Sequence, residues 1–168
     1  MAHNNSKGKY FLGNEFFVYT SDVSTNGTID SSIVPFAYST ECTLSLSADQ
    51  IDTSNKQSGF WASALPGQIS WNISTSALYT TEANYKKMFD KLSKREQVYV
   101  RFGQVMNVDE ISSTVDASAN AARALDTAAG YYGGFAYITS LELNAGNNEV
   151  ASFSAEFTGE GALEYKES

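Results

Sequence analysis

The sequence predicts a mainly β protein with one α-helix, and three observations carry that expectation. Four segments, residues 41–48, 68–78, 135–143 and 149–158, alternate apolar with small polar residues, the period at which a strand turns successive side chains to opposite faces. None of the four contains a lysine or arginine. Only residues 82–94 show a helical spacing instead, with Tyr85, Met88, Phe89 and Leu92 at i, i+3, i+4 and i+7.

Taken in order, residues 1–9 are polar and read as a mobile tail, and residues 10–20 as an aromatic strand that Gly13 interrupts. Residues 21–32, rich in Ser, Thr, Asp, Asn and Gly, form a loop or arm. Residues 33–39 make a short strand, which Pro35 confines to a sheet edge because proline donates no ladder hydrogen bond. In residues 41–48, Cys42, Leu44, Leu46 and Ala48 share one face; Glu41, Thr43, Ser45 and Ser47 share the other. Trp71 alternates with Ile69 and Ile73 and is assigned to the core.

The helix carries Lys86, Lys87, Asp90, Lys91 and Lys94 on its second face, and a strand at 97–105 follows. Residues 107–130 break the β rhythm: dense in Ala, Ser and Asp, they form an insertion or long loop in which Asp116 caps a helix running to Ala129. The run Gly130-Tyr131-Tyr132-Gly133-Gly134 reads as a turn. Gly133 then opens a closing hairpin whose strands are joined at 144–148, with Ala151, Phe153, Ala155 and Phe157 facing the core.

Composition bounds the function. A chain of 168 residues, 42% hydrophobic with ten Phe, ten Tyr and two Trp, makes one domain with enough aromatic area for a core. Eleven basic against nineteen acidic residues give a net charge of −8, which disfavours binding of nucleic acid or anionic membrane through bulk charge. Cys42 is the single cysteine, so no intrachain disulfide forms. No signal peptide or spanning segment is recognised, so the expected site of synthesis is a cytoplasm.

Catalytic chemistry finds no centre. The single histidine, His3, sits in the polar tail, which leaves a Ser/His/Asp or Cys/His arrangement without a base and a histidine zinc site without ligands. Asp49 and Asp52 read as turn caps ahead of a catalytic pair or calcium ligands, since the glycine and further oxygen ligands of a calcium loop are missing. Trp61, Trp71, Tyr131 and Tyr132 would be the rings of a sugar-stacking platform. No metal or cofactor is expected.

Three stretches of the chain carry a resemblance. Residues 47–59 (SADQIDTSNKQSG) followed by Trp61, Leu65-Pro66-Gly67 and Trp71-Asn72-Ile73-Ser74, then residues 136–141 (AYITSL), then residues 153–163 (FSAEFTGEGAL), resemble the major tail proteins of long noncontractile phage tails, and are similar to prophage and gene-transfer-agent tail tube proteins. The matching blocks cover roughly half the chain, in order. Residues 106–130 do not match.

The resemblance implies a two-sheet β-sandwich with the helix at its flank, and a structural, non-enzymatic protein of the virion tail. It further implies hexameric rings stacked into a tube around a tape-measure protein, contacts with tail terminator and distal tail or baseplate proteins, and a channel through which DNA passes without specific binding. Ser45, Ser47, Asn72, Ser74, Glu142 and Glu156 are then the candidate lumen-facing residues, because a wall of hydroxyls and carboxylates offers phosphate no cation. Lys86, Lys87 and Lys91, set against Asp109, Glu110 and Asp116, are the candidate subunit or ring interface. The competing expectations are a carbohydrate-binding or adhesion module built on Trp61, Tyr131 and Tyr132, and a β-sandwich enzyme with paired acids.

Overall fold

The computed structural model describes residues 13–36, 39–79, 85–105 and 124–167. A short 3-10 turn (Gly13–Glu15) leads into β1 (Phe16–Asp22); β2 (Val34–Pro35), β3 (Ser39–Asp52), β4 (Ala64–Leu78), α1 (Tyr85–Lys94), β5 (Val98–Gln104), β6 (Tyr131–Asn144) and β7 (Ser152–Lys166) follow. The strands join one antiparallel sheet in the order β2-β1-β5-β6-β7-β4-β3. Pro35 lies on the edge strand β2, as its missing N–H requires.

Mainly β with one helix is therefore correct, and the two expected sheets are two halves of one continuous sheet. The sheet curls until its ends meet across the core. Phe36, just after β2, sets its ring 5.4 Å from that of Phe153 and 6.4 Å from that of Phe157 on β7. Cys42 Sγ on β3 donates to the Phe16 carbonyl on β1 at 3.5 Å. Val18, Val100, Ile73, Ala136 and Phe157 are fully buried between these layers, and α1 adds Met88.

Glycines make the curl sterically possible. The Trp71 indole lies against Gly134 and Gly159, where a Cβ would overlap the ring, and its Nε1 donates to the Gly161 carbonyl at 3.0 Å. The glycine-rich stretch of β7 is thus the seat of an indole, and the run at 130–134, read from sequence as a turn, belongs mostly to β6 for the same reason. Gly133 lies inside that strand and does not open the hairpin; the turn falls at Asn147 and Asn148, the latter at φ 64°.

Three more expectations change. Phe89 is half exposed, because a helix advances about 100° per residue and Met88 takes the centre of the buried stripe. Residues 124–129 are not helical: Leu125 bridges to Val105 and is buried beside Tyr19, while Asp126 Oδ1 accepts from the amides of Ala128 at 3.0 Å and Ala129 at 3.3 Å. That side-chain acceptor competes with the helical ladder. Within 21–32, β1 persists to Asp22 and the rest is a loop closed by a Val23 to Ile29 bridge. The tail at 1–9 and Asp116 lie outside the described residues.

Candidate functional site

The polar side chains of the four long strands converge on one face. Cross-strand partners share a face, and the register sets Ser45 beside Asn72 and Asn72 beside Thr158. The next row runs Thr43, Ser74, Glu156, Ser140; another runs Glu41, Ser76, Ser154, Glu142; Ser47 pairs with Ser70. All six residues singled out from the sequence, Ser45, Ser47, Asn72, Ser74, Glu142 and Glu156, therefore occupy one surface across β3, β4, β7 and β6.

Hydrogen bonds knit that surface. Asn72 Nδ2 donates to Glu156 Oε1 at 2.8 Å, the Ser47 and Ser70 hydroxyls lie 2.9 Å apart, and those of Thr139 and Thr158 3.0 Å. No lysine or arginine occurs in these strands until Lys166 at the end of β7. Its reverse side is the core, through Ile73, Ala155 and Phe157.

Beyond Trp71 the β3–β4 hairpin leaves the rest of the sheet, since β4 pairs with β7 only from Asn72 onward. The inward face continues along this arm as Leu46, Ala48 and Ile69, and nothing among the described residues covers it: Ile69 is 71% exposed. A register shift between Ala48 and Gln50 places the extra residue on β4, so that Ile51 and its partner Leu65 fall on the face of Ser47 and Asp49, where both are exposed. At the tip, Phe60 and Trp61 are fully solvent-facing, at 106% and 86%. The face that Leu46, Ala48 and Ile69 share with Leu44, Trp71 and Ile73 thus leaves the core, because the alternation outruns the layer that would bury it. Length was the available signal: fourteen and fifteen residues far exceed a usual strand of about five or six.

The basic helix face is partly neutralised at home. Lys87 Nζ lies 3.2 Å from Asp22, and Lys91 Nζ 3.4 Å from Asp22 and 2.8 Å from Glu96. Burial opposes the Lys91 charge, but the hydrogen bond to Glu96 and the attraction of Asp22 and Glu96 outweigh it and hold the ammonium above its usual value. Lys86 is exposed. Asp109, Glu110 and Asp116 lie outside the described residues.

Beside this cluster a cleft of about 550 Å³ opens between the end of α1 and β6, lined by Lys91, Leu92, Arg95, Glu96, Tyr137 and Ile138. Arg95 occupies the left-handed region at φ 56°, where glycine commonly ends a helix, and it enters no ion pair among the described residues. Sequence reasoning missed this cleft, which needs the helix seated on the sheet before it exists.

The alternative chemistries lose their geometry. Trp71 is buried, Trp61 stands on the arm, Tyr131 lies near Arg101 with its ring centroid 5.9 Å from the guanidinium, and Tyr132 pairs with Tyr165 at 5.2 Å, so the four rings make no platform. Asp52 Oδ1 accepts from the Ser54 amide at 2.8 Å, which makes it the expected turn cap. Among the described residues no group of acidic, histidine and cysteine side chains is disposed to hold a metal, and no helix is long and apolar enough to cross a membrane.

Known structures share this fold. The fold is similar to that of the tail of an empty gene transfer agent particle refined with C6 symmetry, at 17% identity and TM-score 0.66 over 94% of this chain and 99% of that one. It is similar to the SPP1 tail tube at 16% identity and TM-score 0.60, over 95% and 80% of the two chains. A chain of the anti-feeding prophage baseplate matches at 11% identity and TM-score 0.58, over 95% and 97%. No curated protein matches. The phage tail tube protein family model aligns with residues 12–165, from before β1 almost to the end of β7 and so across both the polar face and the arm: the chain belongs to the phage tail tube protein family, whose members are structural and not enzymes.

Proposed function

We propose that six copies of this chain close into a ring, that rings stack into the tail tube, and that the polar face of β3, β4, β6 and β7 lines the lumen. The observation that carries this reading is the face itself: a four-strand surface of hydroxyls, amide and carboxylates with no cation until Lys166, backed by the core. Six-fold repetition of chains carrying −8 each makes the channel repel phosphate, so DNA slides without exchanging counterions at every step. The C6 symmetry of the gene transfer agent tail supports the six-fold count.

The outer edge of β3 ends the sheet, so its main-chain groups are available to a second copy at the side. The exposed arm offers apolar area for contact along the tube. The tube encloses a tape-measure protein and meets terminator and distal or baseplate proteins at its ends.

Electron microscopy of the concentrated protein tests assembly: rings or tubes are expected, and dispersed monomers overturn the reading. Ser45→Lys with Ser154→Lys tests the lumen. Six copies of two cations make a positive collar, so particles should assemble yet release DNA slowly and lose infectivity. Full infectivity of well-assembled particles removes this face from the lumen.

A further inference from the structure

We infer that the cleft between α1 and β6 is the receptor for the arm tip of a second copy, with the Phe60 and Trp61 rings entering its apolar floor and Arg95 lying against them. The inference rests on the self-assembly reading and names the surfaces that would meet.

Three observations converge on this pairing. Phe60 and Trp61 project from the tip with no contact that buries them, an aromatic area a soluble subunit does not ordinarily leave bare. The cleft counts Leu92, Tyr137 and Ile138 in its lining, and at about 550 Å³ it falls within the size range of sites that hold aromatic groups. Charge matches as well. Five of the eleven basic residues of an acidic chain lie on and just after α1, and the cleft is lined by Lys91 and by Arg95, which has no ion pair among the described residues, while the arm carries Asp49 and Asp52 below a tip that holds Lys56.

Arg95 is the informative residue. A non-glycine side chain in the left-handed region is disfavoured where glycine would serve, and this one adds an arginine to the lining of the cleft, whose guanidinium can stack on an indole face. The subunit's own arm cannot fill the site: it leaves the sheet above Trp71, in the direction of the β3–β4 turn, whereas the cleft lies beside β6 at Tyr137 and Ile138, next to the row of Asn72 and Thr158.

Arg95→Gly separates assembly from folding. The backbone there already suits glycine, so thermal stability of the free subunit should hold or rise, while the concentration needed for polymerisation should increase about tenfold through loss of the cation–aromatic contact. Polymerisation at the wild-type concentration overturns the proposal. A second measurement uses Ser58→Cys and Lys94→Cys, each made in a Cys42→Ala chain, mixed, assembled and treated with a short bismaleimide. A cross-linked dimer more abundant than in either variant alone supports the pairing. Tubes without that dimer overturn the pairing and leave the self-assembly reading standing; a wild-type protein that never polymerises sinks both.

Discussion

The body and the arm of the β3–β4 hairpin carry the same apolar alternation and meet opposite fates. In the body, Ile73 and Ala77 are buried beneath β7 and α1; in the arm, Ile69 on the same strand face is in solvent. Alternation therefore reports that one face avoids water and says nothing about which molecule covers it. The body is covered by its own chain; the arm is not, and in the proposed tube a second copy covers it.

The sharpest way to break this comparison is a pair of truncations. Phe157→Ala and Phe153→Ala should each cost about 3–5 kcal/mol in urea denaturation of the free subunit, because both rings are buried among Phe36, Ile73 and Met88. Ile69→Ser in the arm should change the same midpoint by no more than about 0.5 kcal/mol, since it loses no intramolecular packing. It should nevertheless abolish polymerisation, read by light scattering. An Ile69→Ser chain that unfolds as readily as Phe157→Ala would show that the arm folds back on its own subunit.

A smaller effect is expected where the sheet bends. Gly159→Ala sets a methyl group against the Trp71 indole, and relieving the overlap by shifting β7 should cost about 1–3 kcal/mol. Gly67 on the arm has looser surroundings, its nearest neighbours being Asp49 atoms at 3.1 Å and beyond, so Gly67→Ala should cost less than Gly159→Ala in the same assay. Equal costs would mean that Trp71 is not held tightly in its seat.

These contrasts show which parts of the fold could be read from residues. The common face of Ser45, Asn72, Ser74 and Glu156 was legible because side-chain direction in a strand is fixed by parity alone. Phe153 and Phe157 were legible for the same reason. The closure into one curled sheet was not, since it depends on glycines at 134 and 159 meeting an indole from a strand about sixty to ninety residues away in sequence. Nor were the partners of Lys87 and Lys91. Asp22 reaches both only after β1 pairs with β5 and α1 settles, so charge spacing on the helix, which brings Glu96 near Lys91, gave no hint of Asp22.

The gentlest test uses acid. Glu96 is held below its ordinary value of 4.5, first by the hydrogen bond from Lys91 and then by that cation's attraction; Asp52 is held below 3.8 by hydrogen bonds from the Ser54 side chain and amide. A depressed carboxylate contributes its stabilisation in full above the unfolded value and loses it as pH falls through the lower folded one. Both groups are solvent-exposed, so both contributions are small. They differ in what they hold together. Glu96 ties the end of α1 into the Asp22 cluster of the body, whereas Asp52 caps a turn of the arm, beyond the strands that pair with the rest of the sheet. Glu96→Gln should flatten the fall of the urea midpoint below pH 4.5, while Asp52→Ala should leave that curve parallel to wild type and loosen only the Ser54 amide in hydrogen exchange. If Asp52→Ala flattens the curve as much as Glu96→Gln does, the arm unfolds together with the body, and the division between a self-covered core and an arm awaiting its partner must be redrawn.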